Sequence, residues 1–172
     1  MLVMTLLGPD RPGLVESVAS LVAEAGGNWL ESRMSRLGGQ FAGILRVEVP
    51  PGNQEKLSAS LEQLGSRGLK VMVHPDEPAA APAPAALRTL DIIGHDQPGI
   101  VRQLSKVLAR HQVNVEELHS ECASAAMSGE TLFKAHAKLR IPQSCSVAEL
   151  QQELERIAAD LIVDIAIREP KP

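Results

Sequence analysis

Residues 6–15 read LLGPDRPGLV, and residues 92–101 read IIGHDQPGIV. At an offset of 86, Gly8 matches Gly94, Asp10 matches Asp96, Pro12 matches Pro98, Gly13 matches Gly99 and Val15 matches Val101. The same offset carries Ala23 onto Ala109 and Asn28 onto Asn114, with Leu21 against Val107. Identities this dense at one fixed spacing mark an internal repeat. Near the end of each copy the offset is 93, which matches Leu57, Leu61 and Leu64 with Leu150, Leu154 and Ile157. The extra seven residues fall in and after SECASAAMSGE (120–130), the counterpart of SRLGGQ (35–40), because insertions collect in loops and hairpins.

Between the copies lies PDEPAAAPAPAAL, residues 75–87. Its prolines cannot donate to a sheet and break a helix, so it reads as an extended, semi-rigid spacer. The expected organisation is a first domain at 1–75, a spacer at 76–86 and a second domain at 87–170. Within each copy the pattern of elements is the same. Short apolar strands at 2–7 and 88–94 run into the Pro-Gly turns. Helices follow at about 12–26 and 98–111, with Leu14, Val15, Val18, Leu21, Val22 and Ala25 on one stripe and Gly26-Gly27 as the stop. Second strands start near Asn28 and Asn114. Third strands alternate, through Leu45, Val47 and Val49 and through Phe133, Ala135, Ala137, Leu139 and Ile141. Helices at about 53–67 and 146–159 and strands at 69–73 and 161–167 complete the series. The order βαββαβ, twice, predicts an α+β protein of two ferredoxin-like units, each an antiparallel sheet with its helices on one face.

Composition narrows the function. The chain of 172 residues is 44% hydrophobic and 22% charged, with 2% aromatics and a net charge of −4. The near absence of aromatics excludes a base-stacking surface, and the acidic balance excludes direct DNA binding. No apolar run reaches the ~18 residues of a membrane span, and the N-terminus MLVMTLLGPDRPG lacks the basic start and cleavage site of a signal peptide. A cytoplasmic protein is expected, with Cys122 and Cys145 as free thiols. The five histidines have no metal-ligand spacing, and neither a G-x-S-x-G nor a Walker A loop is present, so no metal, no cofactor and no enzyme activity are expected.

The turn is where binding chemistry is concentrated. The N–H groups of Gly13, Leu14 and Val15, and of Gly99, Ile100 and Val101, open a helix and suit a carboxylate. Asp10 and Asp96 beside them suit an ammonium, and glycine permits close approach to the backbone. Together these groups fit an α-amino-acid zwitterion. The alternative for each aspartate is a helix N-cap that satisfies those N–H groups itself. Asn28 and Asn114 open the second strands, either as amides for a ligand held between two domains or as turn formers. His95 adjoins Asp96 and is a further candidate contact.

Two βαββαβ units with G-x-D-x-P-G at the first turn resemble tandem ACT domains, the small amino-acid-sensing modules. A chain of two such units with nothing attached is similar to the glycine cleavage system transcriptional repressor family, and similar turns occur in the ACT portions of phosphoserine phosphatase and formyltetrahydrofolate deformylase. The resemblance implies a ligand at an ACT–ACT interface, held by Asp10, Arg11, Pro12, Gly13 and Leu14 with Asn28, and by Asp96, Gln97, Pro98, Gly99 and Ile100 with Asn114. Many ligand-binding ACT modules carry Asn where this chain has Asp10 and Asp96, and Gln97 replaces Arg11, so the two sites differ in charge. The implied role is a non-enzymatic regulator that binds glycine or serine, forms a homo-oligomer and represses by contacting a LysR-type activator. The alternatives are a freestanding interaction module without ligand and the regulatory subunit of a metabolic enzyme.

Overall fold

The structure, a computed structural model, describes residues 1–76, 84–124 and 130–169. Alternation decides the first strand. In β1 (Leu2–Pro9) Leu2, Met4 and Leu6 are buried while the residues between them face the other side. Helix α1 (Leu14–Glu24) lays Leu14, Val18 and Val22 against that apolar face. Strands β2 (Asn28–Leu37) and β3 (Gln40–Glu48) form a hairpin, α2 (Gln54–Glu62) returns across the same face between two short 3₁₀ turns, and β4 (Lys70–Pro75) closes the unit. The sheet order is β2-β3-β1-β4 with every pairing antiparallel.

The second unit repeats this with β5 (Ala85–His95), α3 (Ile100–Arg110), β6 (Asn114–Ser124), β7 (Thr131–Pro142), α4 (Val147–Leu161) and β8 (Val163–Arg168). Its order is β6-β7-β5-β8, again antiparallel throughout. Each unit has its own core. Leu57, Leu61 and Leu69 join β1, β3 and α1 in the first, and Leu104, Leu139, Leu150 and Leu154 meet in the second. The residues divide into units at 1–79 and 80–172. Two tandem ferredoxin-like units of the α+β class, each with its two helices on one sheet face, are therefore what the chain forms.

Register shows where the copies diverge. Leu37 pairs with Gln40 across a Gly38-Gly39 turn, whereas Ala123 pairs with Leu132. The offset is thus still 86 at Leu37/Ala123 and has become 92 at Phe41/Phe133, so the β6–β7 connection takes up nearly all of the growth. Residues 125–129 of that insertion lie outside the described residues, as do 77–83 of the spacer. Expected boundaries shift in several places; Leu161, expected to open the last strand, ends α4 instead. The strand expected at 88 begins at Ala85, inside the 76–86 spacer. Pro84 lacks a donor only at its own nitrogen, and Ala85 and Ala86 are free to pair with Pro142 and Ile141. The first helices start at Leu14 and Ile100, so Pro12 and Pro98 precede the helix instead of occupying its first turn.

Backbone geometry accounts for the repeated glycines. A Cβ on Gly8 would stand 2.4 Å from the Gly68 carbonyl oxygen, and one on Gly94 would stand 2.6 Å from the Ile162 carbonyl oxygen. Both strands therefore pass too close to the loop before the last strand for any side chain. Gly68 takes φ 84° in that loop, while the second unit puts Ile162 there at φ 51°, a residue that is 74% exposed.

Candidate functional site

Gly13 is the N-cap of α1 at φ 89°, and Gly99 is the N-cap of α3 at φ 101°; neither receives a side-chain cap. This settles the capping alternative for the aspartates. They sit three residues before a left-handed glycine that itself makes the corner, so Asp10 and Asp96 do not cap these helices. The glycines do not admit a close neighbour within their own units either. A Cβ on Gly13 would meet nothing within 4 Å, and one on Gly99 only Gln103 Nε2 at 4.0 Å. Their positive φ, not crowding, requires glycine.

Two hydrogen bonds hold each acid turn, and a third contact involves the aspartate side chain. The Asp10 N–H donates to the Gly39 carbonyl at 2.9 Å, and the Asp96 N–H to that of Thr131 at 3.0 Å, tying the turn to the adjacent hairpin. Arg11 Nη2 donates to the Arg67 carbonyl at 2.8 Å, and Gln97 Nε2 donates to the Leu161 carbonyl. These are equivalent positions, so Arg and Gln do the same work: each closes the loop before the last strand onto the turn. The third contact differs. Asp10 Oδ2 is ion-paired with Arg36 Nε at 2.7 Å, whereas at the matching place Asp96 faces Cys122. Partial desolvation first, then the charge and hydrogen bond of Asp96, hold the Cys122 thiol above its ordinary value. Among the described residues no cation is ion-paired with Asp96. His95 Nε2 lies 3.1 Å from Glu130 Oε2.

The structure brings the turn residues together and keeps the asparagines away. Pro9 pairs with Gln40, at one end of the first sheet, while Asn28 pairs with Glu48 at the other. Eight residue steps at ~3.3 Å place Asn28 roughly 26 Å from the turn along the strand direction. The same holds in the second unit, where His95 pairs with Leu132 and Asn114 with Arg140. The cause is the crossover: a helix that starts at the end of β1 travels back along the sheet, so the strand that follows it starts at the opposite end. Both asparagines are exposed.

Arg36 and Cys122 are the contacts that sequence reasoning missed. They lie 86 apart, so the repeat offset extended through 35–40 would have aligned them. A cavity of about 640 Å³ on the helix-free face of the second sheet is not part of this site. It is lined by Asp91, Lys134, His136, Asp164 and Arg168 and by none of residues 96–100. Asp91 there is already held by His136 Nδ1 at 2.6 Å and Arg168 Nη1 at 3.2 Å. Among the described residues no group of three His, Cys, Asp or Glu side chains is placed to hold a metal, and no helix is long and apolar enough to cross a membrane.

Comparison with known proteins decides the family. The ACT-domain model matches residues 1–74 and 89–168, one βαββαβ unit each. The chain belongs to the ACT-domain family. It is 25% identical over 162 residues to the glycine cleavage system transcriptional repressor of Escherichia coli, covering 93% of this chain and 85% of that protein. Among solved structures it is similar to an unknown protein from Galdieria sulphuraria, with 28% identity, TM-score 0.88 and coverage of 99% of this chain and 98% of the other. It shares its fold with a candidate glycine cleavage system transcriptional repressor, with 24% identity, TM-score 0.71 and coverage of 99% and 97%. The chain is thus a tandem ACT protein related to glycine cleavage system repressors.

Proposed function

We propose that this tandem ACT protein is a non-enzymatic cytoplasmic regulator that binds a small amino acid, glycine or serine, and controls transcription through a protein partner, a LysR-type activator. The observation that carries the reading is the pair of acid turns. Each sets a carboxylate beside a helix N-terminus that no N-cap side chain occupies, and such a pair is matched to a zwitterion. The turn of one unit supplies half of the contacts. An asparagine at the start of β2 or β6 supplies the other half from another ACT unit, since within one unit the two stand at opposite sheet ends. A homo-oligomer is the assembly proposed to complete such sites.

The two turns are unequal in this role. The Asp10 carboxylate is already ion-paired with Arg36, whereas among the described residues no cation is paired with Asp96, which leaves it open to an incoming ammonium. Gly99, Ile100 and Val101 then receive the carboxylate, with Pro98 shaping the corner. Gln97 and Arg11 hold the turns from behind, Pro12, Gly13 and Leu14 form the equivalent corner in the first unit, and Asn114 and Asn28 serve as the distant halves.

Calorimetric titration with a panel of amino acids tests this. Binding of glycine or serine is expected in the unaltered chain, lost in Asp96→Ala and kept in Asp10→Ala, with both variants folded by circular dichroism. Absence of heat with every amino acid overturns the sensor reading. Ligand-dependent co-purification from native extract identifies the partner, and recovery of a metabolic enzyme instead of an activator overturns that half.

A further inference from the structure

Three reactive side chains meet at the C-terminal end of α3, away from the acid turn. His111 is the C-cap of that helix. Its Nε2 lies 2.7 Å from Glu153 Oε2 on α4, and its Nδ1 lies 3.8 Å from Cys145 Sγ in the loop before α4. Arg110 pairs with the other oxygen of Glu153. With the Nε2–H assigned as donor to Glu153, Nδ1 offers its lone pair to the thiol, which gives the order thiol, imidazole, carboxylate.

The fold does not require this arrangement. The C-cap of α1 is Ala25, in the place of His111, and the offset of 93 puts Gly52 and Ser60 where the second unit has Cys145 and Glu153. The first unit closes the same corner with Asn53 Nδ2 donating to the Ala25 carbonyl at 2.9 Å. An imidazole, a thiol and a carboxylate therefore stand together where an ordinary amide bond suffices.

We propose that Cys145 is a thiol-modification site, at which His111, oriented by Glu153, takes the proton while the sulfur attacks a low-molecular-weight disulfide. A new S–S bond forms between Cys145 and one sulfur of the disulfide, the original S–S bond breaks, and the departing thiolate receives the proton from the imidazolium. Cys145 is oxidised to a mixed disulfide and half of the reagent is reduced to a thiol. Burial first, then the Glu149 carboxylate, hold the Cys145 thiol above its ordinary value, so little thiolate pre-exists at neutral pH and the proton acceptor decides the rate. The charged groups around His111 are Glu153 and Arg110, with Arg156 acting on Glu153 and Glu149 on the thiol. The adduct removes Cys145 from its packing against the second core, next to Ser146, the N-cap of α4.

Cys122 is the internal control, an exposed thiol that faces Asp96 and, among the described residues, has no hydrogen bond to an imidazole. The full chain is treated with oxidised glutathione at neutral pH, and each site is followed by mass spectrometry of its peptides. Cys145 is expected to react faster than Cys122. His111→Gln, which keeps a polar side chain but no base, is expected to slow Cys145 about a hundredfold and leave Cys122 unchanged. Glu153→Gln slows Cys145 by a smaller factor. If Cys145 reacts no faster than Cys122, or at the same rate in His111→Gln, the proposal is overturned. Should His111→Gln perturb the fold, the rate of Cys122 moves with it, and the order of the two thiols in the unaltered chain still decides. No part of this rests on amino-acid binding.

Discussion

Arg11 reaches across its unit to the main-chain carbonyl of Arg67, 56 positions later, at 2.8 Å. Gln97 does the same to Leu161, so a charged and a neutral side chain fill one structural office. Arg11→Ala and Gln97→Ala are each expected to lower stability by about 1 kcal/mol, the net worth of one hydrogen bond. The Gln97 change is the larger, because its bond is partly buried. Urea denaturation measures both, and a loss below about 0.3 kcal/mol in either shows that the bond is not maintained in solution.

The glycines of the turn separate strain from crowding. Gly13→Ala and Gly99→Ala meet open space but must hold φ near 89° and 101°, which costs about 1–2 kcal/mol. Gly8→Ala and Gly94→Ala drive a methyl into a main-chain carbonyl and are expected to cost roughly 3 kcal/mol, at the upper end for overpacking. Thermal melts of the four variants give that order, and Gly13→Ala melting below Gly8→Ala contradicts it.

At position 162 the second unit pays for a residue that the first unit avoids. Ile162 is β-branched at φ 51° and its side chain is mostly in solvent. Ile162→Gly relieves about 1 kcal/mol of left-handed strain with little packing lost. A rise in the melting temperature is expected, and a fall shows that the side chain is held by contacts of its own.

Arg36 and Cys122 are predicted to control which turn accepts an ammonium. Arg36→Cys gives the first turn the surroundings of the second and raises the calorimetric stoichiometry. Cys122→Arg neutralises Asp96 and abolishes binding. Because the Asp10–Arg36 pair is exposed on the arginine side, its loss changes stability by less than about 1 kcal/mol, so a folding defect is not expected to mask the effect. Unchanged titrations for both variants sink the electrostatic account.

Glu153 makes a pH-dependent contribution of known sign. Its hydrogen bond to His111, then the charges of Arg110, His111 and Arg156, hold it below the usual carboxylate range against the opposing effect of burial. A lowered folded value stabilises fully above the unfolded value and is lost as the pH falls through the lowered one. The stability gap between the unaltered chain and Glu153→Gln is therefore expected at neutral pH and closes as the pH falls below the ordinary carboxylate range. A gap that widens on acidification reverses the assignment.

The repeat made most of the architecture legible, because Gly8, Gly13, Gly94 and Gly99 answer to backbone demands that recur in each copy. The alternation of Leu45 and Val47, and of Ala135, Ala137 and Leu139, marked one-sided burial, and that is what the structure has. Strands β2 and β6 gave no such signal. As edge strands they are exposed along nearly their whole length, so neither face selects apolar residues, and the partners of Asp10 and Asp96 on them left no periodic trace. The distance between Asp10 and Asn28 was equally hidden. Nearness along the chain says nothing about which end of a sheet a crossover helix reaches. The Cys145, His111 and Glu153 cluster joins three elements that no short spacing connects.

That separation gives each unit a direction. Were a ligand gripped by the turn of one unit and the asparagine of another, as the proposed function has it, the ligand itself would be the link. Loading and association would then be one equilibrium, and diluting the protein would weaken its apparent hold on a ligand even with every side chain unchanged.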